Sequence, residues 1–427
     1  MIAAIERLTG LQRKSQGTVF LVGFGHGGTH WIVGSIYVLL PFIQRDLGLS
    51  YTALGTLFTI FHFSAFAANF ASGLLVDVTG RRVLLMVVSL TVGAAAFLAF
   101  GWARGMASLA VMMILIGGTN NLWHPPAISY LSGLFPKNRG YALAIHTLGA
   151  SFGDIAAPLA IGAMLVWLTW QETAIAGALP VFAVALLIGA VLLSRDAGPR
   201  DQKEDETGAE NGQPKRGISL REYLDGMLAM VRDRNVLGLA LMAGFRSMAQ
   251  SGLLLFIPLY LANVLKVGPT MVGLGIAAMQ FGGMIAVPLA GAWSDRAGRR
   301  PVVLAGLSGS TAVIAVLTLA GNEALFIAGL SVLGFMLFAV RPVIHSWMMD
   351  LTPPNMAGSA TSVMFGTQSL LSMAAPVAGG MIADAWGLPA VFYCLAGVML
   401  VANVLVYLLP HHDPGHDPGQ DTGGAKG

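Results

Sequence analysis

Charge is scarce in this sequence. Only 11% of its 427 residues are Asp, Glu, Lys or Arg, whereas about 25% is usual for soluble domains. Hydrophobic residues make up 55% of the chain and the mean hydropathy is +0.71. This balance excludes an ordinary soluble protein. It indicates a helical membrane protein, in which the 54 glycines allow helices to pack closely.

The sequence has almost no cysteine and no phosphate-binding motif. Cys394 is the only cysteine, which excludes an internal disulfide and a cysteine-based metal site. No Walker-type loop is present, so we expect no ATPase activity, no cofactor and no metal. A membrane enzyme or a sensor is the rival class, but no nucleophile or metal cluster is evident near an interface. Basic residues lie in short turns between apolar stretches, which argues against nucleic acid as a partner.

The second half of the chain repeats the first. Three residues recur after 217 positions and one after 218: Pro125 as Pro342, Pro136 as Pro353, Asn138 as Asn355 and Pro158 as Pro376. A constant register over such a distance marks an internal duplication. We therefore expect an amino-terminal six-helix bundle at 1–194 and a carboxy-terminal one at 236–410. Between them, 195–235 is predicted to be a linker with an amphipathic helix, and 411–427 a disordered tail.

Twelve apolar stretches are long enough to cross a bilayer, which requires about 20 helical residues. They cover residues 17–42, 52–75, 83–101, 107–134, 141–166, 173–194, 236–263, 270–292, 302–320, 325–349, 358–383 and 389–409. Helices satisfy their own backbone polar groups within lipid. The sequence thus predicts an all-α membrane protein, with twelve transmembrane helices in two pseudo-symmetric six-helix bundles.

Lysine and arginine are distributed unevenly between the two sides of the predicted membrane. The termini, the linker and the turns after even-numbered spans carry 19 of the 24 basic residues. The other side carries only Arg45, Arg104 and Lys266. By the positive-inside rule, both termini are expected in the cytoplasm. We expect a multi-pass protein of a bacterial-type inner membrane.

Two turns carry a family signature. Residues 73–82 (GLLVDVTGRR) follow the second span, and residues 291–300 (GAWSDRAGRR) follow the eighth. Both resemble the cytoplasmic-loop signature of the major facilitator superfamily, whose members also have six spans, a charged linker and six more. The resemblance covers the whole chain and implies a monomeric secondary active transporter that works by alternating access. It implies gating roles, with Asp77 as a latch between the halves, for Asp77, Arg81, Arg82, Asp295, Arg299 and Arg300.

A narrower resemblance points to the fosmidomycin-resistance type of exporter. It rests on Gly25-His26 in the first span, Trp123-His124-Pro125 in the fourth, and residues 140–142 and 149–153 in the fifth. This resemblance implies proton-coupled efflux by antiport. Import of an anion by proton symport is the alternative.

Polar residues inside spans are expensive and functional by default. The superfamily fold lines its cavity with helices one, four, seven and ten, which carry the candidate substrate contacts. These are His26, His30, Asn120, Asn121, His124, Arg246, Gln250, Arg341 and His345, with His62 and Gln280 expected at the cavity edge. A single histidine can equally well bond a neighbouring helix, and the two asparagines can serve only as interhelical contacts.

The two intramembrane arginines predict the charge of the solute. A guanidinium keeps its proton, so it must face water, a carboxylate or an anion. Asp154 is the only acid deep in a predicted span, and one carboxylate cannot neutralise two arginines. We therefore expect an electropositive cavity and a small anionic organic substrate. Because histidine titrates near neutral pH, we predict proton coupling through His26, His30, His124 and Asp154.

Overall fold

The structure is a computed structural model, and it describes residues 13–195, 228, 230–352 and 357–409. These residues form twelve long helices and no strands. The helices are α1 (Arg13–Leu47), α2 (Tyr51–Thr79), α3 (Arg82–Phe100), α4 (Met106–Leu134, broken at Trp123), α5 (Arg139–Met164), α6 (Trp170–Leu192), α7 (Arg234–Asn263), α8 (Pro269–Ala297), α9 (Arg299–Leu317), α10 (Glu323–Asp350), α11 (Ala357–Trp386) and α12 (Leu388–Tyr407). The all-α class is confirmed. Most of the predicted linker and the whole 411–427 tail lie outside the described residues.

Eight of the twelve helices are longer than the apolar stretches that predicted them. Ten of those described are long and apolar enough to cross a membrane by length and composition. The extra residues are polar ends, where local hydrogen bonds continue the helix past its apolar part. Ser50 accepts from the Ala53 backbone at the start of α2, and Thr169 and Glu172 form a capping box at the start of α6. Apolarity therefore predicts the existence of each helix but not its ends.

The packing within the first half is repeated in the second. Helices α1 and α5 pack together, as do α2 and α4; their duplicates α7 with α11 and α8 with α10 do the same. Glycine allows the α1–α5 contact. A Cβ placed on Gly149 would overlap the carbonyl of Gly23, and one on Gly153 would overlap that of Gly27. This close approach brings the polar middle of α1 against α5.

Among the described residues, the close contacts between the two halves lie toward one end of the molecule. We call the end that carries Arg195 and Met230 the linker face, and the other end the opposite face. Contacts between the halves run through α2–α11, α5–α8 and α1–α7. Near the opposite face they are tight, because a Cβ on Gly162 would lie 2.7 Å from the Pro269 carbonyl oxygen. Nearer the linker face, Gly73 on α2 and Gly366 on α11 have no such neighbour within 4 Å. The halves are thus closed at the opposite face and parted toward the linker face.

Candidate functional site

A polar cavity of about 250 Å³ lies between the halves. It is lined from the first half by Tyr37, His62, Ala65, Phe66 and Asn121, and from the second by Arg246, Ser247, Gln250, Ser251, Leu254, Arg341, Phe365, Gln368, Ser369 and Ser372. Two of these side chains are arginines, and none is a carboxylate. The cavity therefore has a positive lining with many neutral hydrogen-bonding groups.

Arg246 is held in place by the backbone of another helix. The residue is only 3% exposed, and its Nη2 and Nε donate to the Leu337 carbonyl oxygen at 2.7 and 3.3 Å. These bonds tie α7 to α10. They satisfy part of the guanidinium but do not neutralise its charge, because a carbonyl is only a dipole. The positive charge of Arg246 remains available to the cavity.

Arg341 has no such support. Its side chain is exposed to the cavity, and within the described part of the chain it forms no ion pair or hydrogen bond. Asp154 and His124, in the other half, are near enough to interact with it electrostatically. An unpaired guanidinium of this kind is suited to meet an anion. The two arginines that the sequence singled out thus share one cavity.

Four histidines form a cluster on the first-half side of the molecule. The His26 ring lies 4.9 Å from that of His30 and 5.0 Å from that of His124, centroid to centroid. It stacks on His146 at 3.9 Å. His26, His30 and His124 were predicted from the sequence, and the structure brings them together. His146 was missed: it is a single histidine on α5, and only the α1–α5 packing reveals its neighbours.

Hydrogen bonds hold the cluster in a defined arrangement. His26 Nδ1 lies 2.8 Å from the His146 carbonyl oxygen, and Trp123 Nε1 donates to His146 Nε2 at 3.2 Å. His30 Nδ1 lies 2.9 Å from Asp154 Oδ1, and these two side chains are 30% and 28% exposed. The predicted proton carriers therefore run from a buried histidine to a solvent-accessible carboxylate.

The two adjacent asparagines face different neighbours. Asn121 lines the cavity and donates to the Ala65 carbonyl oxygen at 2.6 Å. Asn120 points into a small gap between α1, α3 and α4, where it donates to the Thr29 carbonyl oxygen at 3.4 Å. Successive residues on a helix lie about 100° apart, so only one of the two can face the centre. We leave Asn120 out of the proposed solute site.

Of the remaining predicted residues, Gln250 and His62 line the cavity, whereas His345 and Gln280 do not. Gln250 lines the cavity, and His62 Nε2 lies 3.0 Å from Ser251 Oγ across the boundary between the halves. His345 packs edge-on against Phe365, and its Nε2 is buried without a partner in the described residues. Gln280 is half-buried and is not among the cavity-lining residues.

The duplicated signature turns at the linker face differ in their contacts. In the second half, Arg299 bonds Asp295 at 2.6 Å and Asp350 at 3.0 Å. In the first half, the exposed Asp77 has no ion pair with any described residue. The duplicate of Asp350 is Gly133, which cannot supply a carboxylate.

Within the described ranges, the other basic residues of these turns have no partner in the opposite half. Arg300 donates to the Tyr407 carbonyl oxygen at 3.0 Å, and Arg82 has a buried Nε without a partner in the described chain. Arg81 is exposed. With the halves parted at this face, the latch role of Asp77 stays a prediction for another conformation.

At the opposite face, one charged side chain from each half binds a helix end of the other half. Asp384 accepts from the backbone of Tyr51 and of Thr52 at 2.9 Å each, and from Thr52 Oγ1 at 2.6 Å. Arg45 Nη2 donates to the Ala262 carbonyl oxygen at 2.6 Å and to Asn263 Oδ1 at 3.0 Å. An acid at a helix start and a base at a helix end both suit the helix dipole. We call these six residues the clasp: Arg45, Tyr51, Thr52, Ala262, Asn263 and Asp384.

Sequence reasoning gave the clasp no role. Arg45 is one of only three basic residues predicted on that side. Basic residues are scarce there, and this scarcity was the one signal that Arg45 has a specific role. Asp384 lies in the last turn of α11, next to the turn before α12. In a sequence, an acid at such a position indicates only a solvent-exposed charge. The clasp therefore had to be found from the structure.

Comparisons with known proteins agree with this architecture. The family model of the Major Facilitator Superfamily matches residues 19–266 and 239–426. The probable sulfoacetate transporter SauU of Cupriavidus necator is 24% identical over 391 residues, which cover 88% of each chain. The Multidrug resistance protein B homolog of Mycobacterium tuberculosis is 25% identical over 70% of this chain, which spans only 63% of that relative. A crystal structure of a bacterial homolog of the human lysosomal transporter Spinster superposes with a TM-score of 0.73 at 16% identity, covering 93% and 96% of the chains.

Two helical halves around a central polar cavity are typical of membrane transporters. The chain belongs to the major facilitator superfamily. The predicted family and its twelve-helix fold are confirmed, and so is a multi-pass membrane protein. The narrower resemblance to fosmidomycin-resistance-type exporters stays a prediction.

Proposed function

We propose that this protein carries a small organic anion across the membrane together with a proton. The observation behind the proposal is the cavity lining, in which Arg246 and Arg341 stand without a carboxylate. Charge-assisted hydrogen bonds to a guanidinium are stronger than neutral ones and suit carboxylate or sulfonate groups. A solute with such a group would neutralise the positive charge of the two arginines, for which the cavity lining has no carboxylate.

The size and polarity of the cavity narrow the class of solute. Its volume of about 250 Å³ suits a compact molecule, and Gln250, Gln368 and several serines offer neutral hydrogen bonds. Sites for bulky apolar drugs are lined mainly by apolar and aromatic side chains, and this lining differs from that pattern. A relative is named a probable transporter of sulfoacetate, a small organic anion, which supports the same class.

The placement of the charges favours symport over antiport. The histidine cluster lies in the half that faces Arg341 across the cavity, so a proton on the cluster adds to the attraction for an anion. Coupling between two ligands is reciprocal, so a bound anion raises the proton affinity equally. Joint loading is the basis of symport, whereas exchange requires the two ligands to compete. Efflux by antiport, which the narrower resemblance implied, is therefore the second candidate.

Orientation and assembly complete the proposal. The uneven distribution of basic residues supports a cytoplasmic linker face and cytoplasmic termini in an inner membrane. In that orientation the described conformation opens toward the cytoplasm. We propose a monomer as the transporting unit, because the cavity lies between the two halves of the chain.

A thermal-shift screen of the purified protein tests the proposed solute class. Small carboxylates and sulfonates would be compared with their neutral amides and with amines of similar size, at pH 6 and at pH 8 and constant ionic strength. A ligand that binds only the folded state raises Tm. We expect anions to raise Tm, and to do so more strongly at pH 6. Equal shifts from the amides, or shifts from the amines alone, would remove the anion from the proposal.

A further inference from the structure

In three of the four clustered histidines, His26, His30 and His146, a hydrogen-bond partner decides which ring nitrogen is free. Indole Nε1 only donates, so His146 Nε2 must accept from Trp123, and neutral His146 carries its proton on Nδ1. A carboxylate accepts, so His30 Nδ1 carries the proton that is shared with Asp154. In each ring one nitrogen is therefore assigned by a partner that can play only one role.

His26 is the member with a bare, buried nitrogen. Its Nδ1 donates to the His146 carbonyl oxygen, so the neutral ring leaves Nε2 unprotonated. That atom is buried and has no hydrogen-bond partner among the described residues, in a side chain that is 6% exposed. A buried acceptor without a donor is costly and calls for an explanation.

We propose that His26 Nε2 is the atom that takes the coupling proton. The step is the transfer of one proton from hydronium to the Nε2 lone pair: an O–H bond of the hydronium breaks and leaves water, an N–H bond forms, and the ring becomes an imidazolium. The new N–H can donate to His30 Nε2, because His30 already uses Nδ1 for Asp154. The two rings are neighbours, with their centroids 4.9 Å apart.

The path to His26 begins at the accessible end of the cluster. Asp154 and His30 are partly exposed, and their neighbour His26 lies deeper. Once charged, the chain runs from the Asp154 carboxylate through His30 to the His26 imidazolium, so the acid supplies the counter-charge. His146 and Trp123 position this chain by holding α4 against α5.

The charged groups around His26 link the proton to the anion. His30 shares its helix, His124 faces it from α4 and His146 from α5, and Asp154 on α5 binds His30. Beyond His124, Arg341 on α10 is near enough to interact with that ring electrostatically, and it shares the cavity with Arg246 on α7. The residues that α3 and α6 place against this part of α1 are the apolar Leu90, Val181 and Ile188. Through Arg341, which interacts electrostatically with His124 of the cluster, the two arginines of the cavity oppose a second positive charge. An anion bound to them removes that opposition, which makes proton uptake depend on anion binding.

This inference rests on the proposed symport and is tested by counting protons. A carboxylate or sulfonate that shifts Tm would be added to purified protein in weakly buffered detergent solution with a pH indicator, between pH 6.5 and 7.5. We expect the parent to take up about one proton per bound anion and His26→Gln to take up none. Thr147→Val, on the exposed face of α5 beside the cluster, is the matched control and should retain the uptake.

The possible results separate the two proposals. If the parent binds the anion but takes up no proton, the proposed symport fails. If His26→Gln binds the anion and retains the uptake, the symport stands and the assignment to His26 is overturned. ¹⁵N NMR of histidine-labelled parent protein provides a measurement that does not depend on the folding of a variant. We expect one histidine to change from an unprotonated to a protonated Nε2 when the anion is added, and no such change would overturn the assignment.

Discussion

Arg341→Gln is expected to weaken the binding of an anionic solute about 10- to 100-fold. The guanidinium is exposed to the cavity and forms no ion pair or hydrogen bond with the described residues, so its removal takes little from the fold. A charge-assisted hydrogen bond contributes roughly 1.5–3 kcal/mol, which corresponds to that loss of affinity. Titration calorimetry with a small carboxylate or sulfonate measures it directly.

Two further variants make this result specific. Arg341→Lys keeps the charge but loses the planar fork that binds a carboxylate with two bonds, so its affinity should lie between those of parent and Gln variant. Arg104→Gln removes a charge at the exposed opposite face and should leave the affinity unchanged. If Arg341→Gln bound the anion as tightly as the parent, Arg341 would have no part in solute binding.

Asp384→Ala is expected to shift the protein away from the described conformation by about tenfold or more. The carboxylate accepts three hydrogen bonds at the start of α2 in the other half, and bonds of this charge-assisted kind contribute roughly 1.5–3 kcal/mol each. These hydrogen bonds form only when the opposite face is closed, so their removal destabilises only the closed states. The population with that face open should therefore rise.

Distances between spin labels at positions 104 and 319 report this shift. Both residues are exposed at the opposite face, one in each half, and Cys394, which is also exposed, would first be replaced by Ser. Asp46→Ala is the matched control. Asp46 lies at the same face and accepts hydrogen bonds from Trp170 and Gln171 within one half, so its loss should not part the halves. A distance distribution that is the same in the Asp384 variant and the parent would show that the clasp does not hold the face closed.

The fold could be predicted from the sequence because its signals are local. Apolar stretches of membrane-spanning length give each helix, and the register of the duplicated prolines gives the two halves. The arginines of the cavity could be predicted for a related reason. Arg246 and Arg341 are so expensive within a membrane that few places other than a polar cavity can hold them.

The parts that the sequence did not predict depend on packing between distant segments. His146 becomes part of a site only because Gly149 and Gly153 bring α5 against α1. Asn120 and Asn121 are adjacent, and the rotation of one helix decides which of them faces the cavity. The clasp joins residues more than 200 positions apart, such as Arg45 and Asn263. No local pattern encodes such a contact, and it belongs to one conformation of the transport cycle.

The measurement that tests the central claim most directly is the direction of proton movement when the anion moves. Purified protein would be reconstituted into liposomes with the membrane potential clamped at zero, and the anion added on one side while a dye records internal pH. We predict that the anion enters with protons and acidifies the interior, that an acidic exterior drives its accumulation, and that a protonophore abolishes that accumulation. Anion entry that alkalinises the interior, or that leaves its pH unchanged, would contradict coupled transport of an anion with a proton.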